Sequence, residues 1–245
     1  MQPAEIAAVH GAAMRDTFSV GSALSRSFQI WSRSLPLFLG AATLAQLPTV
    51  VVSRLTVGRD VPARVPILAN LVMQVLVSLT VGLVTHSVLA QIRGRRPGSL
   101  ECLRVGVQRT WLVFATILTT LLMVAAASLI LVVPGVVCAG RWALAATVVA
   151  AEGRVRGRER STLLTEGHRG ALLGLLLLLL VASTVVSILL FNLGPRTGLL
   201  ASVLTETVPL ALLISFGSVV LAVAYHQLRT EKEGADLEHI TEVFG

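Results

Sequence analysis

Six long apolar runs dominate the sequence and constrain the fold more than any other feature. A membrane-spanning helix needs about 20 predominantly apolar residues. Leu-rich stretches such as 175–180 do not alternate in the way that the strands of a membrane barrel do. The sequence therefore predicts an all-α polytopic membrane bundle with six transmembrane helices. The predicted spans are 35–53, 67–91, 111–133, 136–151, 171–192 and 199–226.

Composition argues against the main soluble classes. Of the 245 residues, 13% are charged and 54% are hydrophobic, whereas a soluble domain carries about 25% charged residues. So few charges cannot cover a water-facing surface, which excludes a soluble enzyme, a disordered regulator and a secreted disulfide-rich module. The two cysteines, Cys102 and Cys138, are too few for a disulfide framework or a metal site.

The third and fourth spans are separated only by Pro134 and Gly135. The run 111–151 is about twice as long as one crossing requires, so the chain must fold back within it. Pro-Gly is a strong turn signal. We therefore expect a hairpin that reverses at these two residues.

Basic residues mark one side of the predicted bundle. In the six-span topology, 15 Lys and Arg residues fall on one side of the membrane and four fall on the other. Because cytoplasmic loops carry the excess of Lys and Arg, this split places both termini in the cytoplasm. The chain then divides into an N-terminal arm, 1–16, a transmembrane domain, 17–228, and a cytoplasmic tail, 229–245. The four arginines on the non-cytoplasmic side are Arg54, Arg59, Arg64 and Arg196.

The segments before spans one, three and five predict helices that lie in the membrane interface. In the first two, apolar side chains fall within an arc of about 80°, with arginine on the far side. An apolar arc that contains Trp, opposite a basic face, is typical of such helices. The segment 157–170 has a poorer stripe. The two stripes are Val20, Leu24, Phe28, Trp31 and Leu35, and Leu100, Leu103, Val107 and Trp111.

These three segments have two explanations. Each is followed by a transmembrane hairpin, so the chain is consistent with three repeats of one unit, an interfacial helix and a hairpin. Alternatively, they are unrelated helical approaches to a crossing, which are common in membrane proteins.

Ionisable residues within the hydrocarbon region are costly and are functional candidates. Arg141 in span four and Glu206 in span six lie about 8 Å and 10 Å below the predicted helix starts, at 1.5 Å per residue. The matching depth predicts a buried ion pair, and Asn70 and Gln74 of span two complete the predicted polar cluster. Such a cluster is either a substrate or ion site, or a structural pair that fixes helix packing.

Enzyme signatures are weak. The tripeptide His168-Arg169-Gly170 resembles one that opens the active site of glycerophosphodiester phosphodiesterases, but that site needs a metal-binding carboxylate set on a barrel of about 250 residues. There is no zinc-protease helix, nucleophile elbow or phosphate-binding glycine loop. The arginines lie between apolar runs with almost no Tyr or Phe to stack on bases. We therefore expect no enzyme, no cofactor, no metal and no nucleic-acid partner.

Three stretches resemble a family of bacterial six-helix membrane proteins of uncharacterised function. Leu131–Gly170 contains Pro-Gly, Arg-Trp and Glu-Gly, then a Ser/Thr-rich helix that ends in Gly. Tyr225–Glu238 is similar to the family's closing segment, and Phe18–Pro48 to its opening amphipathic helix with a proline in span one. The family is related to the membrane domain found beside some glycerophosphodiester phosphodiesterases.

This resemblance covers residues 17–240 and implies a location in the bacterial inner membrane. It supplies no established reaction. Ala146 and Thr147 stand where these proteins often have a proline after Arg-Trp, so a kink in span four is not implied here.

Together these features predict a non-enzymatic membrane component that organises lipid or partner proteins on the cytoplasmic leaflet, because basic amphipathic surface is its most repeated feature. Its basic faces should favour anionic lipid. One alternative is a small-solute transporter or channel that uses Arg141 and Glu206. Another is a membrane anchor subunit for a separate soluble enzyme. A cavity that reaches Arg141 and Glu206 would favour the transporter, and a tightly packed bundle would not.

Overall fold

A computed structural model of the chain describes residues 20–56, 59–95, 97–153, 156–193 and 199–244. Over these ranges the regular structure is entirely helical. Six helices are long and apolar enough to cross a membrane by length and composition. This confirms the all-α architecture with six apolar spans. The predicted N-terminal arm, 1–16, lies outside the described residues.

The helices follow one another through short connections. The first four helices are α1 Val20–Arg33, α2 Leu35–Thr56, α3 Arg64–Ile92 and α4 Ser99–Ile130. The others are α5 Val132–Arg141, α6 Ala145–Glu152, α7 Gly157–Leu164, α8 Arg169–Leu193 and α9 Leu199–Phe244. Spans one, two and three are α2, α3 and α4. Span four is α5 and α6 together, span five is α8, and span six lies within α9.

Two helices are longer than the spans predicted from apolar runs. The amphipathic segment before span three is continuous with that span, so both form the single helix α4. The predicted sixth span and the described part of the predicted tail likewise form the single helix α9. Segment 226–238 contains three Glu and two Leu, with one each of Gln, Arg, Lys and Ala, and all of these residues favour a helix even where it is polar.

The hairpin between spans three and four reverses at Leu131. This residue has extended backbone angles, φ −159° and ψ 142°, and α5 starts at the next residue. The turn predicted at Pro134-Gly135 is therefore wrong by about three residues. Pro134 lies in the first turn of α5, where a backbone N–H has no intrahelical acceptor and its absence costs nothing.

Glycines permit close helix approaches between α3 and α4 and within the α4–α5 hairpin. A Cβ at Gly82 of α3 would lie 3.2 Å from the Cα of Gly106 in α4, so the two backbones are nearly in contact. A Cβ at Gly135 of α5 would overlap the Ser128 side chain and lie 3.0 Å from the Ser128 Cα. Small residues of this kind let membrane helices gain dispersion contacts along their whole length.

Buried clusters hold the helices together, and the two largest include α9. One contains Phe38 of α2, Leu83 of α3 and Val219 of α9, all at most 2% exposed. Another joins Leu144, Leu172 and Tyr225, and so connects the break in span four with α8 and α9. A smaller cluster joins α4 to α6. Because the long helix α9 contributes to both large clusters, it is the central element of the bundle.

Substitution of Gly135 should show how tightly the α4–α5 hairpin is packed. We expect Gly135→Ala to destabilise the detergent-solubilised protein by about 1–3 kcal/mol, because the new methyl group meets backbone atoms of α4 that cannot rotate away. Gly174→Ala in α8 is the matched control, since a Cβ there meets nothing within 4 Å, and it should be neutral or stabilising by up to about 1 kcal/mol. Equal effects in thermal unfolding would contradict the close approach.

Candidate functional site

Glu206 forms a bidentate ion pair with Arg54. The Nε of Arg54 donates to Oε2 of Glu206 at 3.1 Å, and a terminal nitrogen donates to Oε1. Both side chains are about one-fifth exposed. The paired fork geometry gives such contacts both strength and orientation. The pair joins the end of α2 to the first part of α9.

The predicted pairing of Glu206 with Arg141 is therefore wrong. Arg141 is exposed at the end of α5, and α5 packs against α4, α7 and α8, whereas α9 packs against α2. Asn70 is exposed and Gln74 is half-buried. Among the described side chains neither forms a hydrogen bond with Glu206 or Arg141, so the predicted four-residue cluster is not assembled.

Span four is broken between Arg141 and Ala145. The break frees the Arg141 carbonyl from the helical ladder. It accepts hydrogen bonds from Ser161 Oγ at 2.9 Å and from Thr165 Oγ1 at 3.4 Å. Hydroxyl side chains commonly satisfy such freed backbone groups in membranes. The Ser/Thr-rich helix α7 thus stabilises a break that no proline causes.

A ring of five side chains lies where α6, α7 and α9 meet. Tyr225 donates to Glu152 at 3.0 Å, and Arg160 lies 3.5 Å from the same carboxylate and also pairs with Glu233. Arg229 closes the ring, donating to Glu233 at 2.8 Å and to the Tyr225 hydroxyl at 3.3 Å. The two carboxylates and two guanidinium groups balance in charge.

This ring lines a cavity of about 580 Å³. Arg156 and Glu159 stand at its rim and are 86% and 73% exposed. Sequence reasoning missed the ring, although 225, 229 and 233 recur at intervals of four residues on one helix face. Because every charge in the ring has a partner, the ring fixes the connection between α6 and α7 against α9 rather than presenting free charge to a ligand.

A second cavity, of about 320 Å³, lies between the ends of α3 and α6 and the first part of α4. We call it the basic cavity, and its titratable lining residues are His86, Arg93, Arg95 and Arg109. It lies at the arginine-rich end of the bundle, which we define as the end that carries the α3–α4 and α6–α7 connections.

Backbone geometry fixes the rim of the basic cavity. Gly94 has φ +75°, a left-handed conformation that suits glycine. Its N–H donates to the Gln91 carbonyl at 3.0 Å, and the Arg95 N–H donates to the Ala90 carbonyl at 2.9 Å. These two bonds form a Schellman motif that ends α3. The Arg95 side chain is thereby directed towards Glu101, and its guanidinium group lies 3.0 Å from the Glu101 carboxylate.

Arg109 is held on the opposite wall of the basic cavity. Its NH1 donates to the Ala151 carbonyl at 2.7 Å and also to the Ala150 carbonyl. These carbonyls lie in the last turn of α6, where a cation is favoured by the helix dipole. Arg109 therefore caps α6 and keeps its guanidinium group in one place.

The two predicted interfacial stripes differ in their surroundings. On α4, Leu100 and Trp111 are 80% and 74% exposed, and Leu103 and Val107 are exposed beside them. On α1, Phe28 is exposed, while Val20, Leu24 and Trp31 are half-buried.

Helix α1 turns a different face towards the bundle. Its buried residues are Ala23, Ser27 and Ile30, and the helix packs against α9. The Trp31 Nε1 donates to Ser215 Oγ of α9 at 3.0 Å, and its ring meets Phe216 edge-on. Trp31 therefore anchors α1 to the bundle, in addition to any contact with lipid.

Comparison with known proteins gives no relative: no family model, curated protein or solved structure matches the chain. The resemblance to six-helix bacterial membrane proteins therefore stays a prediction. Among the described residues, no group of three His, Cys, Asp or Glu side chains is placed to hold a metal ion.

A double-mutant cycle should identify the partner of Glu206. We expect Glu206→Ala and Arg54→Ala each to destabilise the protein by about 1–3 kcal/mol, because each leaves a charged hydrogen-bonding group without its partner. The double variant should lose less than the sum of the two. In thermal melts, Arg141→Ala combined with Glu206→Ala should instead be additive. Coupling to Arg141 without coupling to Arg54 would contradict the observed pair.

Proposed function

We propose that this integral membrane protein is a non-enzymatic component that organises anionic lipid on the cytoplasmic leaflet of a bacterial inner membrane. The observation that carries the proposal is the exposed apolar stripe of α4, at the end of the bundle where arginines without carboxylate partners collect. The six apolar spans supply the membrane location.

The stripe on α4 is a surface that the protein itself does not cover. Leu100, Val107 and Trp111 are at least 60% exposed, although the spacing of the stripe is that of a buried helix face. Apolar residues that include Trp, at the end of a membrane helix, are typical of contact with the headgroup and upper acyl region. Lipid is therefore the medium that this face fits.

Charge at the same end favours anionic lipid over neutral lipid. Several arginines there have no carboxylate partner among the described residues, whereas Glu101, Glu152 and Glu233 are already paired. Anionic leaflets attract basic residues near their surface by about 1 kcal/mol each. Those that are exposed to the surroundings include Arg26, Arg33, Arg93 and Arg104.

The transporter alternative was based on a polar site formed by Arg141 and Glu206, and these two side chains do not come together. Glu206 is paired with Arg54, and Arg141 is exposed on a helix that does not pack against the Glu206 region. The anchor-subunit alternative depends on a second protein and gains no support from the geometry of this chain.

Cysteine labelling should test the orientation on which this proposal depends. In a background with Cys102→Ala and Cys138→Ala, we expect an impermeant maleimide to label Arg59→Cys in intact spheroplasts but not Glu159→Cys. Both positions are exposed, so accessibility depends only on the side of the membrane. After lysis, both should react. Labelling of residue 159 in intact spheroplasts would overturn the cytoplasmic location of the arginine-rich end.

Lipid composition should change the stability of the protein. We expect a higher unfolding temperature in nanodiscs of phosphatidylglycerol than in nanodiscs of phosphatidylcholine. The difference should shrink at 1 M salt, where the Debye length is about 3 Å.

The double variant Arg26→Gln/Arg33→Gln should reduce the advantage of anionic lipid by about 2 kcal/mol, at about 1 kcal/mol per arginine. Arg59→Gln/Arg64→Gln, which removes two exposed arginines from the opposite end, is the matched control and should leave the preference unchanged. Equal stability of the unaltered protein in both lipids would defeat the proposal.

A further inference from the structure

We propose that the basic cavity is a binding site for a single phosphate group, carried either by a soluble anion or by a lipid headgroup. This inference goes beyond the proposed function, which concerns the outer surface. Arg109 contacts the end of α6, whereas Trp111, two residues further along α4, is 74% exposed. The cavity therefore lies on the bundle side of α4, away from its lipid-facing stripe.

The size of the basic cavity suits a small anion. Its volume of about 320 Å³ lies at the lower end of the range of small-molecule sites, about 300–1,000 Å³. Leu89, Ala90 and Ala151 form its apolar wall. A phosphate group with a small substituent fits such a space.

The charge of the lining selects an anion. Among the described residues, three guanidinium groups and one imidazole line the cavity and no carboxylate does. Glu101 lies beside the cavity and is shared by Arg95, at 3.0 Å, and His86, at 3.5 Å. Arg93 and Arg109 have no carboxylate partner among the described residues. Two positive charges thus face this space without compensation.

A further arginine without a carboxylate partner among the described residues lies near this end of α3. Arg26 of α1 and Arg93 both lie close enough to His226 of α9 to act on it electrostatically. Like charges repel each other, and an anion bound between them reduces that repulsion.

The donors in the basic cavity are held in place before any ligand arrives. Arg109 is fixed by the Ala150 and Ala151 carbonyls through NH1 alone, so among the described contacts its other guanidinium nitrogens stay available. The Schellman motif at Gly94 fixes the backbone that carries Arg93 and Arg95. Planar guanidinium groups match the geometry of phosphate oxygens and commonly bind them in a bidentate manner. Fixed donors reduce the entropy that binding would otherwise lose.

Titration of the purified full chain in neutral detergent should detect the site. The probes are inorganic phosphate and a short-chain phosphatidylglycerol, with chloride at equal ionic strength as the reference, and calorimetry is the measurement. We expect Arg93→Gln to weaken binding about tenfold, the effect of losing one charge-assisted hydrogen bond. Arg59→Gln is the matched control, because Arg59 is exposed at the opposite end of the bundle and does not line the cavity, and it should bind as the unaltered protein does.

The two probes distinguish the source of the phosphate. If inorganic phosphate binds and the binding depends on Arg93, the ligand is a soluble anion. If only the phospholipid binds in an Arg93-dependent manner, the ligand is a lipid headgroup. Both results support the site. Arg93→Lys, which keeps the charge but not the fork, serves if Arg93→Gln unfolds, and should bind more weakly than the unaltered protein. Absence of binding to both probes, or an equal loss in Arg93→Gln and Arg59→Gln, would overturn the inference. The proposed function would survive that result if the preference for anionic nanodiscs persists.

Discussion

Backbone hydrogen bonding in the absence of water is the constraint on which the rest of this structure depends. A peptide group within hydrocarbon must find its partner inside the protein, so every apolar run becomes a helix. Where span four departs from a helix after Arg141, hydroxyl groups of Ser161 and Thr165 satisfy the freed carbonyl. Arg109 satisfies the last carbonyls of the same span. The break thus accounts for the hydroxyl side chains of α7 that face it, and the end of span four accounts for the position of Arg109 in α4.

Sequence patterns predicted the elements of this fold far better than their contacts. Apolar length alone gives the six spans, because the cost of exposing a peptide group to lipid leaves no other solution. The turn was misplaced because Pro-Gly is a turn signal in most settings, whereas Pro134 in the first turn of a helix loses no hydrogen bond. In this chain the helix break falls at Leu131, before Pro134, so Pro134 and Gly135 already belong to α5.

The partner of Glu206 could not be deduced in the same way. The sequence gives the approximate depth of a residue in the membrane, but residues on several helices lie at the same depth. Which helices are neighbours depends on packing. Here α9 packs against α2, whereas α5 packs against α4, α7 and α8. Arg54 was assigned to a connection because it follows the apolar run. The helix α2 nevertheless continues to Thr56, so Arg54 lies within a helix of the bundle. Long basic side chains reach across such short distances readily.

At the arginine-rich end of the bundle, some charged side chains are paired with one another and others have no carboxylate partner among the described residues. In the ring around Tyr225, carboxylates and guanidinium groups are equal in number, and each charge is used to join α6, α7 and α9. Beside the basic cavity, the Glu101 carboxylate is shared by Arg95 and His86, and Arg93 and Arg109 have no carboxylate partner in the part of the chain that the structure describes. Their guanidinium groups are therefore the ones that an anion can still bind, and an anion held between them would balance their charge.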